Sequence, residues 1–303
     1  MAEKIWTTLS NEIAQITAMA GESVVAVLGG RHASSGVVFS PEAIVTANHA
    51  LRREDQITVI TGPGRQTVAR LAGRDPGTDL AVLRLQEPIE ARVAKWGTTV
   101  NLKVGELVLA IGRTWRGNVV ASAGILSGLI ATTWRSWRGG ELDQFIRPDL
   151  NLYAGFSGGP LLANSGEFLG INTAGLHRSG ITIPAGTVKR VAAELLDKGR
   201  IERPYLGLGM QPVPLPESLR NKLNLTASEG LLVAHLEHAG PAEKAGVMLG
   251  DVLIELGGQG IADTESVQDV LHSSRVGQEV EATVIRAGEL ARLKIKLEAR
   301  PAR

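Results

Sequence analysis

Gly155-Phe156-Ser157-Gly158-Gly159-Pro160 lies near the middle of the chain, and the fold turns on how it is read. A serine sits among three glycines and runs on into Leu161-Leu162. Glycine adopts backbone angles closed to other residues and lets another backbone approach closely. A serine held in such a turn exposes its hydroxyl. Its own N–H and that of Gly155 can converge on one point, which makes a nucleophile with an oxyanion hole. The bland reading is a glycine-rich turn between strands. The flanking sequence decides between them.

On both sides the chain reads as short strands. Candidates cover residues 23–28, 36–39, 43–46, 56–60, 68–72, 80–85, 106–111, 119–126 and 144–146, then 160–162, 168–172 and 181–183. Val and Ile are frequent in them, and turn residues separate them at short intervals. Such a run without intervening helices indicates a β-sandwich or barrels. Two helices frame it. Leu9, Ile13, Ile16 and Met19 lie on one face of a helix over 9–20, capped by Ser10 or Asn11. Val188, Val191, Ala192, Leu195 and Leu196 share a face over 185–198, and Gly199 is a C-terminal stop. Ile201-Glu202-Arg203-Pro204 reads as a linker, after which a second unit begins at Tyr205.

The length of 303 residues suits two domains. With 32 basic and 31 acidic residues, the net charge of +1 argues against nucleic acid as a partner. The absence of cysteine excludes disulfides, thiolate metal sites and a cysteine nucleophile. Met1–Thr8 has no basic start leading into an apolar run, and no apolar stretch approaches membrane-spanning length. The expectation is a cytoplasmic protein without a membrane span; an exported protein that has lost its leader is the other reading.

Upstream of Ser157 lie Ile44-Val45-Thr46-Ala47-Asn48-His49, a strand running into a histidine, and Asp75-Pro76-Gly77-Thr78-Asp79. A serine hydroxyl attacks a peptide carbonyl only if a neutral imidazole takes its proton and later returns it to the leaving amine. A carboxylate on the far ring nitrogen fixes the tautomer and stabilises the imidazolium. His49, Asp79 and Ser157 supply these types in the order found in chymotrypsin-like proteases. Taken singly, His49 reads as a polar loop residue and Asp79 as ordinary turn chemistry. Asp75 and Asp149 are rival acids. The nucleophile elbow of an α/β-hydrolase would need a helix after Ser157, with Asp and then His downstream. A strand-like run follows Pro160, and His235, His238 and His272 fall in the second unit, so that reading is rejected.

The chain resembles the HtrA/Deg family of serine proteases. The likeness is carried by Ser35-Gly36-Val37-Val38, Ile44–His49, Asp75–Leu83, Ser157–Leu161, Gly170–Ala174 and Arg203–Leu208, then by Gly240-Pro241-Ala242, Ala245-Gly246 and Leu249–Ile254. It implies a mainly β protein: an N-terminal helical segment over 1–20, a chymotrypsin-like double β-barrel over 21–200 and a PDZ domain over 204–300. It implies His49 as base, Asp79 as orienting acid, Ser157 as nucleophile, and the N–H groups of Gly155 and Ser157 as oxyanion hole. It implies an ATP-independent endopeptidase without cofactor or metal that cuts unfolded proteins. Ala174, Ile181 and Ile183 would line the primary pocket. Asn151, six residues before the nucleophile, leaves its floor without a carboxylate and favours small to medium aliphatic residues. Tyr205, Leu206, Gly207 and Leu208 resemble a carboxylate-binding loop for C-terminal peptides. Val267, Val270 and Leu271 are read as the opposite groove wall or as core.

Two departures from the family stand out. Phe156 replaces the usual Asn, and residues 30–35 are short where some members carry a regulatory loop. A catalytically silent peptide-binding scaffold is the rival function. Trp134–Gly140 reads as packed tryptophans or as a sensor loop relaying PDZ occupancy, and Trp6 is the candidate anchor of a homotrimer.

Overall fold

The computed structural model describes residues 2–62, 64–130, 134–135, 141–142, 144–176 and 180–300. The chain forms two units, Met1–Ile201 and Glu202–Arg303.

In the first unit, helix α1 (Ala2–Gly21) leads into β1 (Val24–Leu28), β2 (Ser34–Ser40), β3 (Ala43–Ala47), β4 (Ile57–Thr61), β5 (Arg65–Asp75) and β6 (Leu80–Leu85). These strands close a barrel in the order β1-β2-β3-β6-β5-β4. Six later strands close a second barrel: β7 (Leu107–Arg113), β8 (Val119–Ile130), β11 (Phe145–Asp149), β12 (Pro160–Ala163), β13 (Phe168–Thr173) and β14 (Ile181–Pro184). Their order is β11-β14-β13-β12-β7-β8. Between β8 and β11, the two-residue strands β9 (Trp134–Arg135) and β10 (Glu141–Leu142) pair with each other. Residues 136–140 and the side chains of Trp134 and Arg135 lie outside the described residues, and the packed-tryptophan and sensor-loop expectations lie there with them.

Closure removes the open edges that a pair of small sheets would present. Val25, Val27, Val38, Ile44, Ile57, Val59 and Leu83 fill the first barrel. Val108, Leu126, Ile146, Leu161 and Leu169 pack together in the second. A further cluster joins Val24, Val37, Val45 and Val82 to Ile111, Leu162 and Ile171 and to the buried face of α2 (Ala185–Lys198). Helix α2 ends where the spacing predicts, with Gly199 left-handed and its N–H donating to Leu195 O. Helix α1 begins well before residue 9, and no cap at Ser10 or Asn11 is used. Residues 4–8 are exposed, and Thr8 Oγ1 donates back to Lys4 O at 2.8 Å within the helix.

The second unit holds β15 (Pro204–Tyr205), β16 (Leu208–Pro214), α3 (Glu217–Leu223), β17 (Glu229–Leu236), α4 (Pro241–Lys244), β18 (Val252–Leu256), β19 (Gln259–Gly260), α5 (Thr264–Ser273), β20 (Glu279–Arg286), β21 (Glu289–Lys296) and β22 (Glu298–Ala299). Its sheet runs β16-β17-β18-β20-β21, which makes β16 an edge strand. Leu231, Val233, Leu253, Ile261 and Val284 form its core.

Candidate active site

His49 sits in a short 3-10 turn (Asn48–Ala50) directly after β3, and Asp79 lies just before β6. These strands are neighbours in the first barrel, with Ala47 opposite Leu80. The pairing brings together two residues 30 apart in sequence. Asn48 N–H donates to Asp79 O at 2.8 Å, and His49 N–H donates to Asp79 Oδ1 at 2.8 Å. Asp79 has a φ of +58°, a conformation that short polar side chains tolerate better than most. Its Oδ2 stands 2.6 Å from His49 Nδ1. Asp79 is buried, and Thr173 Oγ1 on β13 donates to the same Oδ2. That hydrogen bond from Asp79, outweighing the opposing effect of burial and helped by the carboxylate's charge, holds the His49 pKa above its ordinary value.

The rival acids are differently occupied. Asp75 accepts from Gly77 N–H and Thr78 Oγ1 within its own turn, and Asp149 is exposed on β11. Ser157 enters from the second barrel in the turn before β12, where its Oγ accepts from Ala174 N–H at 3.3 Å. Among the described residues, Ser157 Oγ makes no hydrogen bond to His49.

Gly155 has a φ of +96°, open to glycine and closed to most other residues. Its carbonyl accepts from Ser35 Oγ at 2.7 Å, and the Phe156 N–H at the other end of that peptide donates to Tyr153 O at 3.0 Å. Phe156 is only 3% exposed; its ring packs among Val108, Ala110, Leu126, Ile146, Leu161 and Leu169. The departure from the usual Asn is therefore an apolar anchor in the second barrel. Between the turns that follow β1 and β7 lies an open cleft of about 500 Å³, lined by Leu28, Ala33, Trp115 and Val120 and bordered by Gly155.

Two sets of expected lining residues are found in cores. Ile181 and Ile183 are buried with the α2-facing cluster, because alternation along β14 turns both to that side while Thr182 faces Asn172. Ala174 and Asn151 are exposed. In the second unit Val267, Val270 and Leu271 are all buried in the core, since a three-residue apolar stripe on a short helix has one place to go. Tyr205, Leu206, Gly207 and Leu208 lead from β15 into the edge strand β16. Ala242 N–H donates to Leu206 O and Glu237 N–H to Gly207 O, both at 2.9 Å. In trans peptides this turns the N–H groups of Gly207 and Leu208 the opposite way.

Residues missed in the sequence are Thr173 and Gly175. A Cβ on Gly175 would lie 2.5 Å from His49 Nδ1 and 2.6 Å from Asp79 Oδ2. Thr173 falls within a motif shared with the family, yet nothing local marks it as the partner of an aspartate 94 residues away.

The trypsin-like peptidase domain family matches residues 34–171, and the PDZ domain family matches residues 204–297. The serine protease Do-like HtrA of Lactobacillus helveticus is 32% identical over 282 residues, covering 87% of this chain and 68% of that protein. The chain belongs to the HtrA family of serine proteases. The Do-like HtrA of Bacillus subtilis (strain 168) is 34% identical over 282 residues, covering 87% of this chain and 63% of that relative. A probable periplasmic DegP-like serine endoprotease of Brucella suis is 33% identical, with 88% and 52% covered. The chain thus spans about half to two-thirds of the length of these curated relatives. The HtrA-type protease AlgW, solved with a decapeptide, superposes with a TM-score of 0.74 at 26% identity, over 96% of this chain and 99% of that one. The serine endoprotease of Yersinia pestis gives 0.73 at 26% identity, over 95% and 98%. No helix among the described residues is long and apolar enough to cross a membrane. The Brucella relative carries a periplasmic name, which lends the cytoplasmic expectation no support.

Proposed function

We propose that this chain is an ATP-independent serine endopeptidase acting on unfolded protein segments, with a second unit that takes C-terminal peptides. The observation that carries the reading is His49 clamped to a buried Asp79, with the Ser157 hydroxyl held by the N–H of Ala174, the residue before the Gly175 that abuts the His49 ring. Ser157 Oγ attacks the scissile carbonyl while His49 Nε2 takes its proton. Asp79 steadies the imidazolium at Nδ1. The N–H groups of Gly155 and Ser157 receive the developing oxyanion. The tetrahedral intermediate collapses as His49 gives the proton to the leaving amine, and water then releases the acyl group by the same steps.

Asn151 supplies no carboxylate for a basic side chain, which supports a loose preference for small to medium aliphatic residues before the cut. The cleft beside Gly155, whose lining mixes Leu28, Trp115 and Val120 with Arg31, His32 and Thr114, receives side chains after the cut. In the second unit, the outward N–H groups of Gly207 and Leu208 take a terminal carboxylate, and the free edge of β16 pairs with the peptide. Trp6 is 70% exposed on α1 and anchors a homotrimer, which light scattering on Trp6→Ala tests.

The deciding experiment incubates the chain with unfolded casein and with a fluorophosphonate probe, beside Ser157→Ala. Cleavage and labelling in the parent, with turnover falling about 10⁶-fold in the variant, are expected. A parent inert to both across pH 6 to 9 would leave the silent scaffold as the answer.

A further inference from the structure

Ser35 is the second residue of β2 and is fully buried, and every polar group it carries is hydrogen-bonded, two of them to the nucleophile turn. Its N–H donates to Ser157 O at 3.0 Å. Its Oγ donates to Gly155 O at 2.7 Å and accepts from Arg113 N–H at 3.0 Å. Its carbonyl accepts from Thr46 Oγ1 at 2.6 Å. The residues whose carbonyls it holds, Gly155 and Ser157, are the two whose N–H groups face the oxyanion in the reading above.

We propose that Ser35 is a positioning residue for the oxyanion hole, setting the donor geometry of the second barrel from a strand of the first. A peptide plane is fixed when both ends are bound. The plane between Gly155 and Phe156 is bound at its carbonyl by Ser35 Oγ and at its N–H by Tyr153 O. Gly155 has no side chain to resist rotation, so an unbound carbonyl there turns freely. Removing the hydroxyl strands the buried Arg113 N–H and the half-buried Gly155 O, and the route to satisfy Gly155 O is to rotate it. The plane itself carries the Phe156 N–H and no oxyanion donor, but its rotation about the Gly155 Cα–C and Phe156 N–Cα bonds tilts the two flanking planes, and these carry the Gly155 and Ser157 N–H groups off the point where the oxyanion forms. Ser35 thereby acts on the transition state, where the donors are needed, and leaves ground-state peptide binding alone.

This inference rests on the endopeptidase reading, and the test separates the two. Ser35→Ala and Ser35→Cys are compared with the parent on a quenched-fluorescence peptide, on the matching peptide aldehyde with a ¹³C-labelled carbonyl, and on the matching peptide acid. The aldehyde forms a hemiacetal whose oxygen occupies the hole; the acid reports substrate-like binding. Ser35→Ala is expected to lower kcat about 10- to 100-fold, less than the roughly 10²- to 10³-fold cost of losing an oxyanion donor outright, with KM within about twofold. Aldehyde affinity should fall by the same factor and the hemiacetal oxygen should titrate at higher pH. Acid binding and the His49 limb of the pH profile should not move. Ser35→Cys, which keeps a weak donor, should fall between parent and Ser35→Ala. A rise in KM at constant kcat overturns the inference, as does aldehyde affinity equal to the parent's. Should Ser35→Ala fail to fold, Ser35→Cys carries the same comparison, and parent-like aldehyde binding in it overturns the inference equally. A parent that turns over no substrate removes the endopeptidase reading, while its labelled aldehyde signal still reports on Ser35.

Discussion

His49 Nδ1 lies 2.6 Å from Asp79 Oδ2, and the His49 backbone N–H is bound to the other oxygen of the same carboxylate. The ring is thus oriented by a group its own main chain helps to hold. The raised His49 pKa has a direct sign for activity: the base works only when neutral. The acid limb of kcat/KM should therefore lie above the ordinary histidine value of about 6.5. Asp79→Asn should lower kcat about 10⁴-fold and move the limb down. A pH–rate series on parent and variant checks both.

Thr173 Oγ1 donates to Asp79 and accepts from Gly175 N–H. Thr173→Val keeps the volume and removes both bonds. A hydrogen bond to a charged group contributes about 1.5–3 kcal/mol, so kcat/KM should fall about 10- to 100-fold. Steady-state kinetics with the melting temperature as control makes the measurement.

Gly175 passes so close to the His49–Asp79 pair that any Cβ there displaces ring or carboxylate. Gly175→Ala should lower kcat at least about tenfold, because misplacement of a catalytic pair by a fraction of an ångström is costly. Its melting temperature should stay within a few degrees, about 1–2 kcal/mol. Normal turnover in this variant would show that the pair relaxes without cost.

Phe156 is anchored in the second barrel. Phe156→Ala should destabilise the first unit by about 3–5 kcal/mol, read by urea unfolding. Phe156→Asn, with the residue usual in the family, should also be destabilised, since the amide would enter an apolar cluster.

In the second unit Arg286 binds the buried Asp251 through Nε and an Nη at 2.8 and 2.7 Å. Burial of Asp251 opposes its ionisation, but Arg286 and the Met248 N–H together hold its pKa below the usual carboxylate value. A depressed folded pKa gives stability that is complete above the unfolded value near 3.8 and is lost as pH falls through the folded one. Thermal unfolding of the full chain should show the second transition weaken below about pH 4. Asp251→Ala, which leaves the partly exposed Arg286 with its bond to Gly246 O, should cost about 1.5–3 kcal/mol at neutral pH.

The parts of the protein written in local pattern were legible without coordinates. Short Val- and Ile-rich runs between turn residues predict the barrels, and the spacing from Val188 to Leu195 with Gly199 beyond predicts α2 to its last residue. The residue types and order of His49, Asp79 and Ser157 predict the chemistry, since few other combinations activate a serine. The family resemblance named Asp79 over Asp75 and Asp149; only the tertiary structure gives the reason, because strand register decides which carboxylate reaches the ring. It alone turned Ile181, Ile183, Val267, Val270 and Leu271 into cores: periodicity gives two faces but not which one is covered. It alone buried Phe156 and set Ser35 against Gly155, 120 residues apart. A hydrogen bond from a strand of one barrel to a turn of the other leaves no trace in the spacing of either.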